Sequence, residues 1–167
     1  MGKKTRGDQA SAAGTPATAQ LSAAGIPFTE HSYTHDPRAT SYGLEAAQAL
    51  GVDPGLVFKT LLVQADAGLG VVVVPVDRQV DLKAAAAALG AKRATMADPA
   101  AAQRSTGYVL GGISPFGQRR PLPTVLDESA LGHELIYVSG GRRGLDIAVT
   151  VDDLVRVLAA QVAAISR

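Results

Sequence analysis

Cysteine is absent from this 167-residue chain, which also lacks an excess of charge of either sign and any apolar segment long enough to cross a membrane. Without cysteine the protein has no disulfides, no thiolate nucleophile and no thiolate metal ligand. A formal net charge of +1 is not the strongly basic balance of a protein that binds nucleic acid non-specifically. A functional site must therefore use oxygen and nitrogen groups, and any RNA contact must come from a local basic patch.

The start of the chain also lacks the apolar core of a secretory signal. Residues 1–14 are basic and then rich in alanine, serine and glycine, which predicts a flexible tail in a cytoplasmic protein. The remaining residues, 15–167, are enough for one well-buried domain and few for two, since 47% of the chain is hydrophobic. We expect one domain behind a tail.

Helices and strands alternate along the predicted domain. Cap-and-proline starts such as Thr15-Pro16, followed by glycine stops, indicate short helices. Apolar runs at 57–63 and 70–76 predict two strands, and the short turn between them predicts an antiparallel pair. The last helix is predicted to start at Val151 and to carry its apolar stripe as far as Ile165. This succession indicates an α+β fold around a mixed, largely antiparallel sheet.

A lysine in the middle of the strand at 57–63 is the most unusual feature of the sequence. In a strand, Lys59 points to the same face as its aliphatic neighbours, whereas Thr60 points to the opposite face. An unpaired ammonium among aliphatic side chains is costly. The stem of an ordinary lysine can, however, pack on apolar surface while its nitrogen reaches water. The residue pattern alone leaves both interpretations of Lys59 open.

Two glycine-rich turns are candidate binding loops. Gly111-Gly112 allows positive φ angles and the close approach of a ligand, or it is a plain tight turn. In the segment 139–144, successive backbone N–H groups beside two arginines can form an anion-binding concavity, or the segment is a surface hairpin. Asp146 follows within a strand and needs a partner, for which Lys59 is one candidate.

Other catalytic patterns are not supported. No serine stands in a Gly-x-Ser-x-Gly elbow. His31 and His35 fall in a predicted strand over 27–35, where residues four apart are more than about 10 Å from each other, so we predict no metal site. By residue types, an enzyme and a binding module are equally indicated. If the protein is an enzyme, positioning and electrostatics around a reactive substrate are the expected means.

Several ordered blocks of the chain resemble one known family. The blocks are 31–37, 57–63, 79–83, 96–115 and 139–147. Together they resemble the YbaK/EbsC family, free-standing relatives of the editing domain inserted in bacterial prolyl-tRNA synthetases. The resemblance covers nearly everything from Thr15 to the last helix. It implies that family's fold, a partly barrel-like sheet flanked by helices.

The resemblance implies a pocket in the protein. Six residues match the positions that line it in the family and are expected to be catalytic: Tyr33, Lys59, Thr60, Gly111, Ser139 and Asp146. Further substrate contacts are expected from Gly112, Ser114, Gly140, Gly141 and Arg142. Strand alternation sends Thr60 away from the face of Lys59, so both can serve one pocket only through backbone geometry or a twist.

The resemblance also implies an activity, a trans-editing deacylase that releases cysteine from mischarged Cys-tRNA(Pro). In the Cys-directed members, the thiol of the substrate attacks its own ester and leaves as a cyclic thiolactone, so neither a protein nucleophile nor a cofactor is expected. The wording of the two glycine loops favours this branch. One alternative is a deacylase of Ala-tRNA(Pro) or another misacylated tRNA that uses water. The other is an RNA- or nucleotide-binding module without turnover.

Two partners follow from this interpretation. The first is misacylated tRNA(Pro), which Arg119-Arg120 and Arg142-Arg143 could contact through phosphates. The second is prolyl-tRNA synthetase, because a nearly neutral protein is expected to bind tRNA weakly without help. The sequence leaves open whether the protein is a monomer or a dimer.

Overall fold

Each α-helix begins at a side-chain cap that accepts a hydrogen bond from the backbone N–H three residues later. The computed structural model describes residues 14–167, and its helices are α1 (Pro16–Ala23), α2 (Tyr42–Leu50), α3 (Leu82–Ala88), α4 (Pro99–Thr106) and α5 (Val151–Leu158). The caps are Thr15, Ser41, Asp81, Asp98 and Thr150, in that order. Because such caps satisfy otherwise unpaired N–H groups, they fix where each helix starts. The predicted cap-and-proline starts are confirmed.

The predicted tail at residues 1–14 lies outside the described residues, apart from Gly14. Within the described part, no helix has the length and apolar character needed to cross a membrane. Two short 3-10 turns cover Pro54–Leu56 and Glu128–Gly132.

The strands form two sheets. An antiparallel sheet has the order β1–β7–β6 and consists of β1 (Thr29–Ser32), β7 (Leu145–Thr150) and β6 (Leu135–Arg142). A mixed sheet has the order β4–β2–β3–β5–β8 and consists of β4 (Ala94–Met96), β2 (Phe58–Ala65), β3 (Gly68–Pro75), β5 (Thr124–Asp127) and β8 (Gln161–Ala163). In it β2 runs antiparallel to β3 and β4, whereas β5 runs parallel to β3 and β8. The predicted hairpin and the mixed, largely antiparallel arrangement are confirmed.

The main hydrophobic core combines buried residues of both sheets. Phe58 and Leu62 of β2 belong to the same buried cluster as Val138 of β6 and Ile147 of β7. The two sheets are joined by one isolated parallel bridge, between Val57 and Tyr137. The first residues of β2 therefore lie where the two sheets meet.

The end of the chain differs from the prediction. Helix α5 ends at Leu158, because Ala159 adopts a left-handed conformation with φ 49°, and the chain continues as β8 beside β5. The prediction of one apolar helical stripe as far as Ile165 is therefore wrong. Ile165 is fully buried, but in the apolar cluster that includes Val63 and Val72 of the mixed sheet. A short apolar run does not by itself separate helix from strand, and here pairing with β5 decides.

The first strand is also shorter than predicted. It was expected over 27–35, but β1 covers only Thr29–Ser32. Its ladder with β7 ends at the pair Ser32 and Leu145, which is the first residue of β7. Tyr33 lies just beyond and still donates a backbone hydrogen bond of 2.9 Å to the carbonyl of Gly144.

Candidate active site

A cavity of about 250 Å³ is bordered by all six residues that the sequence predicts to be catalytic. They are Tyr33, Lys59, Thr60, Gly111, Ser139 and Asp146. Tyr33 follows β1, Lys59 and Thr60 belong to β2, and Ser139 and Asp146 come from β6 and β7. The fold thus collects residues more than 100 positions apart around one space, while their chemical roles stay predictions.

Asp146 is a buried carboxyl in the central strand of the antiparallel sheet. It stands opposite His31 of β1 on one side and opposite Ser139 of β6 on the other. Its residue is only 5% exposed, and this burial raises the pKa of the carboxyl to about 7. Within residues 14–167 it forms no ion pair, so the suggested pairing with Lys59 is not seen. The cavity therefore contains a carboxyl that changes its protonation state near neutral pH.

Lys59 brings a partly desolvated positive charge to the same cavity. Its side chain is half-buried, and this burial lowers the pKa of the ammonium, while the negative charge of Asp77 acts in the opposite direction. The strand register places Lys59 opposite Val74 of β3. A half-buried cation without an ion pair in the described chain is available for interaction with a ligand.

Thr60 borders the cavity and carries a buried hydroxyl without a hydrogen-bond partner in the described chain. The residue is 7% exposed, and its Oγ1 is buried without a partner among the described residues. Strand alternation separates Thr60 from Lys59, yet both border the cavity. They can do so because they lie at the start of β2, beside the bridge that joins the two sheets. A buried polar atom left unpaired calls for an explanation.

The Thr60→Val variant is expected to have a free energy of unfolding roughly 1 kcal/mol higher than that of the original protein. The substitution removes an unpaired buried hydroxyl and keeps the side-chain shape. The matched control is Thr106→Val. The hydroxyl of Thr106 donates to the carbonyl of Ala102 at 2.8 Å and accepts from the backbone N–H of Tyr108 at 3.1 Å. The control should lose about 1–3 kcal/mol. Urea unfolding measures both, and equal losses would show that Thr60 has a partner.

Tyr33 supplies a phenol that stays protonated at neutral pH. Burial raises its pKa to about 12, and the nearby carboxyl groups of Asp146 and Glu45 contribute in the same direction. The group can therefore donate a hydrogen bond to a ligand. Tyr33 and Asp146 together form a polar side of the cavity next to the antiparallel sheet.

Ser139 is positioned by an irregularity in β6. The register with β7 shifts between Ser139 and Arg142, where two glycines interrupt regular pairing. The backbone N–H of Gly141 donates to Oγ of Ser139 at 3.1 Å. Bulges of this kind commonly redirect side chains at functional sites. Ser139 stands opposite Asp146 in the register, and this hydrogen bond holds its hydroxyl.

Sequence reasoning missed the wall that the start of α2 provides. Thr40, Ser41, Tyr42, Gly43 and Ala46 border the cavity, together with Val76 and Ile113. A Cβ atom on Gly43 would clash with Cγ1 of Val76, so only glycine lets α2 pack this closely on the residue that follows β3. Glycine within a helix normally lowers its stability by about 1 kcal/mol relative to alanine. A glycine inside the predicted helix was therefore the one sequence signal for this close packing.

Gly111 and Tyr42 border the cavity, and Arg143 lies beside Tyr42. Gly111 has φ 82°, and a Cβ atom on it would lie 2.7 Å from Cδ1 of Tyr42, so this position favours glycine twice over. The guanidinium carbon of Arg143 lies 5.1 Å from the centre of the Tyr42 ring. Its Nε donates to the carbonyl of Leu110 at 2.8 Å. Three separate segments therefore meet at the rim.

The five residues expected to make further substrate contacts do not border the cavity. They are Gly112, Ser114, Gly140, Gly141 and Arg142. Gly112 packs against the backbone of Arg142, where a Cβ atom would lie 2.8 Å from Cα. Ser114 is fully buried, and its Oγ accepts from the N–H of Phe116 at 3.2 Å. These contacts shape the loops around the cavity, and a binding role for the five residues stays a prediction.

The two histidines of the first strand region have separate partners. His31 contacts Oγ1 of Thr29 at 2.9 Å, and Nδ1 of His35 contacts the carboxylate of Glu45 at 2.9 Å. Over residues 14–167 no three histidine, aspartate or glutamate side chains are grouped to hold a metal ion. Glu45 also accepts from the N–H of Asp36 at 2.6 Å, which ties α2 to the segment that follows β1.

Comparison with known proteins gives consistent matches. A sequence model of the aminoacyl-tRNA editing domain matches residues 35–157. EbsC of Enterococcus faecalis, described as a Cys-tRNA(Pro)/Cys-tRNA(Cys) deacylase, is 32% identical over 142 residues, covering 84% of this chain and 86% of EbsC. A proline–tRNA ligase of Acidithiobacillus ferrooxidans is 35% identical over 88 residues, which are 53% of this chain and 15% of the ligase. A crystal structure described as a trans-editing enzyme for prolyl-tRNA synthetase has a TM-score of 0.78 and 28% identity, covering 91% of this chain and 95% of that one.

Proposed function

This chain belongs to the aminoacyl-tRNA editing domain family, as an aminoacyl-tRNA deacylase of its YbaK/EbsC branch, and on that premise we propose that it releases cysteine from Cys-tRNA(Pro). The observation that carries this proposal is the composition of the cavity. Among the residues that the structure describes, its lining contains an ammonium, a buried carboxyl and an unpartnered hydroxyl, but no histidine that could activate Ser139 or Thr60 as a nucleophile. A substrate that brings its own nucleophile suits such a site.

The proposed reaction uses the thiol of the substrate. The sulfur attacks the carbonyl carbon of the aminoacyl ester, a C–S bond forms, and the C–O bond to the terminal ribose breaks. The thiol proton is transferred to the departing ribose oxygen, so the products are a cyclic thiolactone and free tRNA(Pro). The protein then has to hold the aminoacyl group in an attacking geometry and stabilise the charge that develops on the carbonyl oxygen.

The six cavity residues have distinct roles in this proposal. Lys59 faces the aminoacyl end and stabilises developing negative charge, whereas Asp146 orients polar groups of the substrate, among them its α-ammonium. The absence of a side chain at Gly111 lets the backbone approach the ester. Ser139, Thr60 and Tyr33 offer hydroxyls for hydrogen bonds near the terminal ribose and the amino acid.

Two other functions are compatible with the same cavity. A deacylase of Ala-tRNA(Pro) or another misacylated tRNA would use water in place of the substrate thiol. A non-catalytic module would bind the aminoacyl end and release no amino acid. The relatives favour deacylation of a Cys-tRNA, because EbsC is described as acting on Cys-tRNA(Pro) and Cys-tRNA(Cys).

A panel of tRNA(Pro) charged with cysteine, serine, alanine or proline tests the proposal. We expect cysteine to be released roughly 100-fold faster than serine, because an intramolecular thiol is well placed and an alcohol is a poorer nucleophile. The product should be trapped as a thiolactone. Equal rates for cysteine and alanine, with oxygen from labelled water in the released acid, would establish the water-dependent alternative.

Partners and extent are proposed on the same basis. We take the editing domain to cover residues 15–167. The similarity to part of a proline–tRNA ligase suggests that the protein works beside prolyl-tRNA synthetase on misacylated tRNA(Pro). Arg119, Arg120, Arg142 and Arg143 are the basic residues proposed to contact phosphates.

A further inference from the structure

The size of the cavity limits which part of a substrate can enter it. Its volume of about 250 Å³ is below the roughly 300–1,000 Å³ of sites that bury a drug-sized ligand. It suits an aminoacyl group and part of a ribose, but not an entire aminoacyl-nucleoside. If the proposed function holds, the nucleobase of the 3′-terminal nucleotide must therefore lie outside the cavity, against its rim.

One residue of the cavity lining, Tyr42, has a second planar group beside it, the guanidinium of Arg143. Tyr42, the first residue of α2, borders the cavity and is 38% exposed. Arg143, in the turn between β6 and β7, is also exposed, and its guanidinium carbon lies 5.1 Å from the ring centre of Tyr42. The hydrogen bond from its Nε to the carbonyl of Leu110 holds the guanidinium in this position. The Tyr42 ring thus has the guanidinium of Arg143 and the ring of His35, whose centre lies 5.7 Å away, beside it before any ligand arrives.

We propose that Tyr42 and Arg143 form a stacking platform for the nucleobase at the single-stranded 3′ end of the tRNA. This inference rests on the proposed function and adds a recognition element to it. Unpaired RNA bases are bound mainly by stacking on aromatic rings and on arginine planes. Because Tyr42 borders the cavity, the pair stands next to the space proposed to take the aminoacyl group.

The platform divides recognition into two parts. Stacking on a π-face is tolerant of base identity, and every tRNA has the same 3′ terminus, so Tyr42 and Arg143 would anchor any aminoacyl-tRNA. The cavity would then select the amino acid. Loss of the platform should consequently weaken binding and raise KM while the rate of the bound complex changes little.

A binding experiment with and without the base tests this directly. The probe is tRNA(Pro) carrying serine in a stable 3′-amide linkage, compared with the same molecule whose terminal nucleotide is abasic. For the original protein and for Tyr42→Phe, removal of the base should weaken binding about tenfold. For Tyr42→Leu and Arg143→Lys, the same removal should cost less than about twofold. Should the Leu variant fail to fold, the Lys variant, which keeps the charge but loses the planar group, decides the question.

The controls separate this inference from the proposed function. Leu131→Ala changes another exposed apolar residue, 64% exposed and absent from the cavity lining, and should respond to base removal like the original protein. An equal loss on base removal in all folded variants would overturn the platform. If the original protein released no amino acid from any charged tRNA, the proposed function would fail, and the binding comparison would still decide whether the base stacks here.

Discussion

Replacing Lys59 by methionine is expected to lower the rate of Cys-tRNA(Pro) deacylation by roughly 100- to 1,000-fold, the range found when one electrostatic contact to a transition state is removed. Methionine keeps the apolar stem and removes only the ammonium. Since Lys59 is half-buried and forms no ion pair within residues 14–167, loss of its charge should not destabilise the fold. Single-turnover deacylation measures the rate, and thermal unfolding verifies that the variant is folded.

Lys83 provides the matched control for this change. It is an exposed lysine on α3 and does not border the cavity. Lys83→Met should deacylate at the original rate, and Lys59→Arg should recover only part of the activity, because a planar guanidinium does not replace a compact ammonium in a shaped site. A folded Lys59→Met variant with undiminished activity would show that the lysine is merely a packed surface residue.

Replacing Asp146 by asparagine is expected to stabilise the protein increasingly as the pH rises from about 4 to about 7. Burial raises the folded-state pKa of this carboxyl from 3.8 to about 7. In that interval the unfolded chain has already released the proton that the folded chain retains, so the stability of the original protein falls with rising pH. At about 1.4 kcal/mol per pH unit, the penalty above pH 7 reaches up to ~4 kcal/mol, which asparagine removes. Urea unfolding from pH 4 to pH 8.5 measures the difference.

Asp127 offers a control of opposite sign. It is also buried, which alone would raise its pKa, but hydrogen bonds from the hydroxyl of Ser129 and the N–H of Ile165 lower the pKa below its usual value. Its contribution to stability is therefore present above the unfolded pKa and disappears as the pH falls through the folded pKa. Asp127→Asn should destabilise the protein at neutral pH and have a shrinking effect in acid. Parallel pH profiles for the two variants would contradict at least one of the two assignments.

What the sequence could predict depends on how local the cause is. A helix start depends on a cap and the three residues after it, so the start of the helix after Thr15, and others like it, could be predicted from the sequence. The end of α5 was not, because the choice between helix and strand for the segment after Leu158 depends on pairing with β5, more than thirty residues earlier. Local signals therefore place elements, and long-range pairing corrects their ends.

The candidate site follows the same division. The resemblance picked out six residues, and the structure collects them around one cavity, although no local rule relates Lys59 to Asp146. The contribution of α2 to the cavity lining was not predicted, because the position of this helix depends on the contact between Gly43 and Val76. Five expected substrate contacts came from conspicuous glycine loops, which the structure uses to shape the surroundings of the cavity. A glycine-rich motif that stands out in the sequence therefore need not border the cavity.

The unpaired hydroxyl of Thr60 also bears on how this protein evolves. Most substitutions in a folded protein reduce stability, yet valine at this position is expected to increase it, so drift under selection for stability alone would remove the hydroxyl. Only selection for what the cavity does would retain it. Across homologous chains, Thr60 should therefore persist where deacylation persists and give way to apolar residues in lineages that keep the fold without the activity.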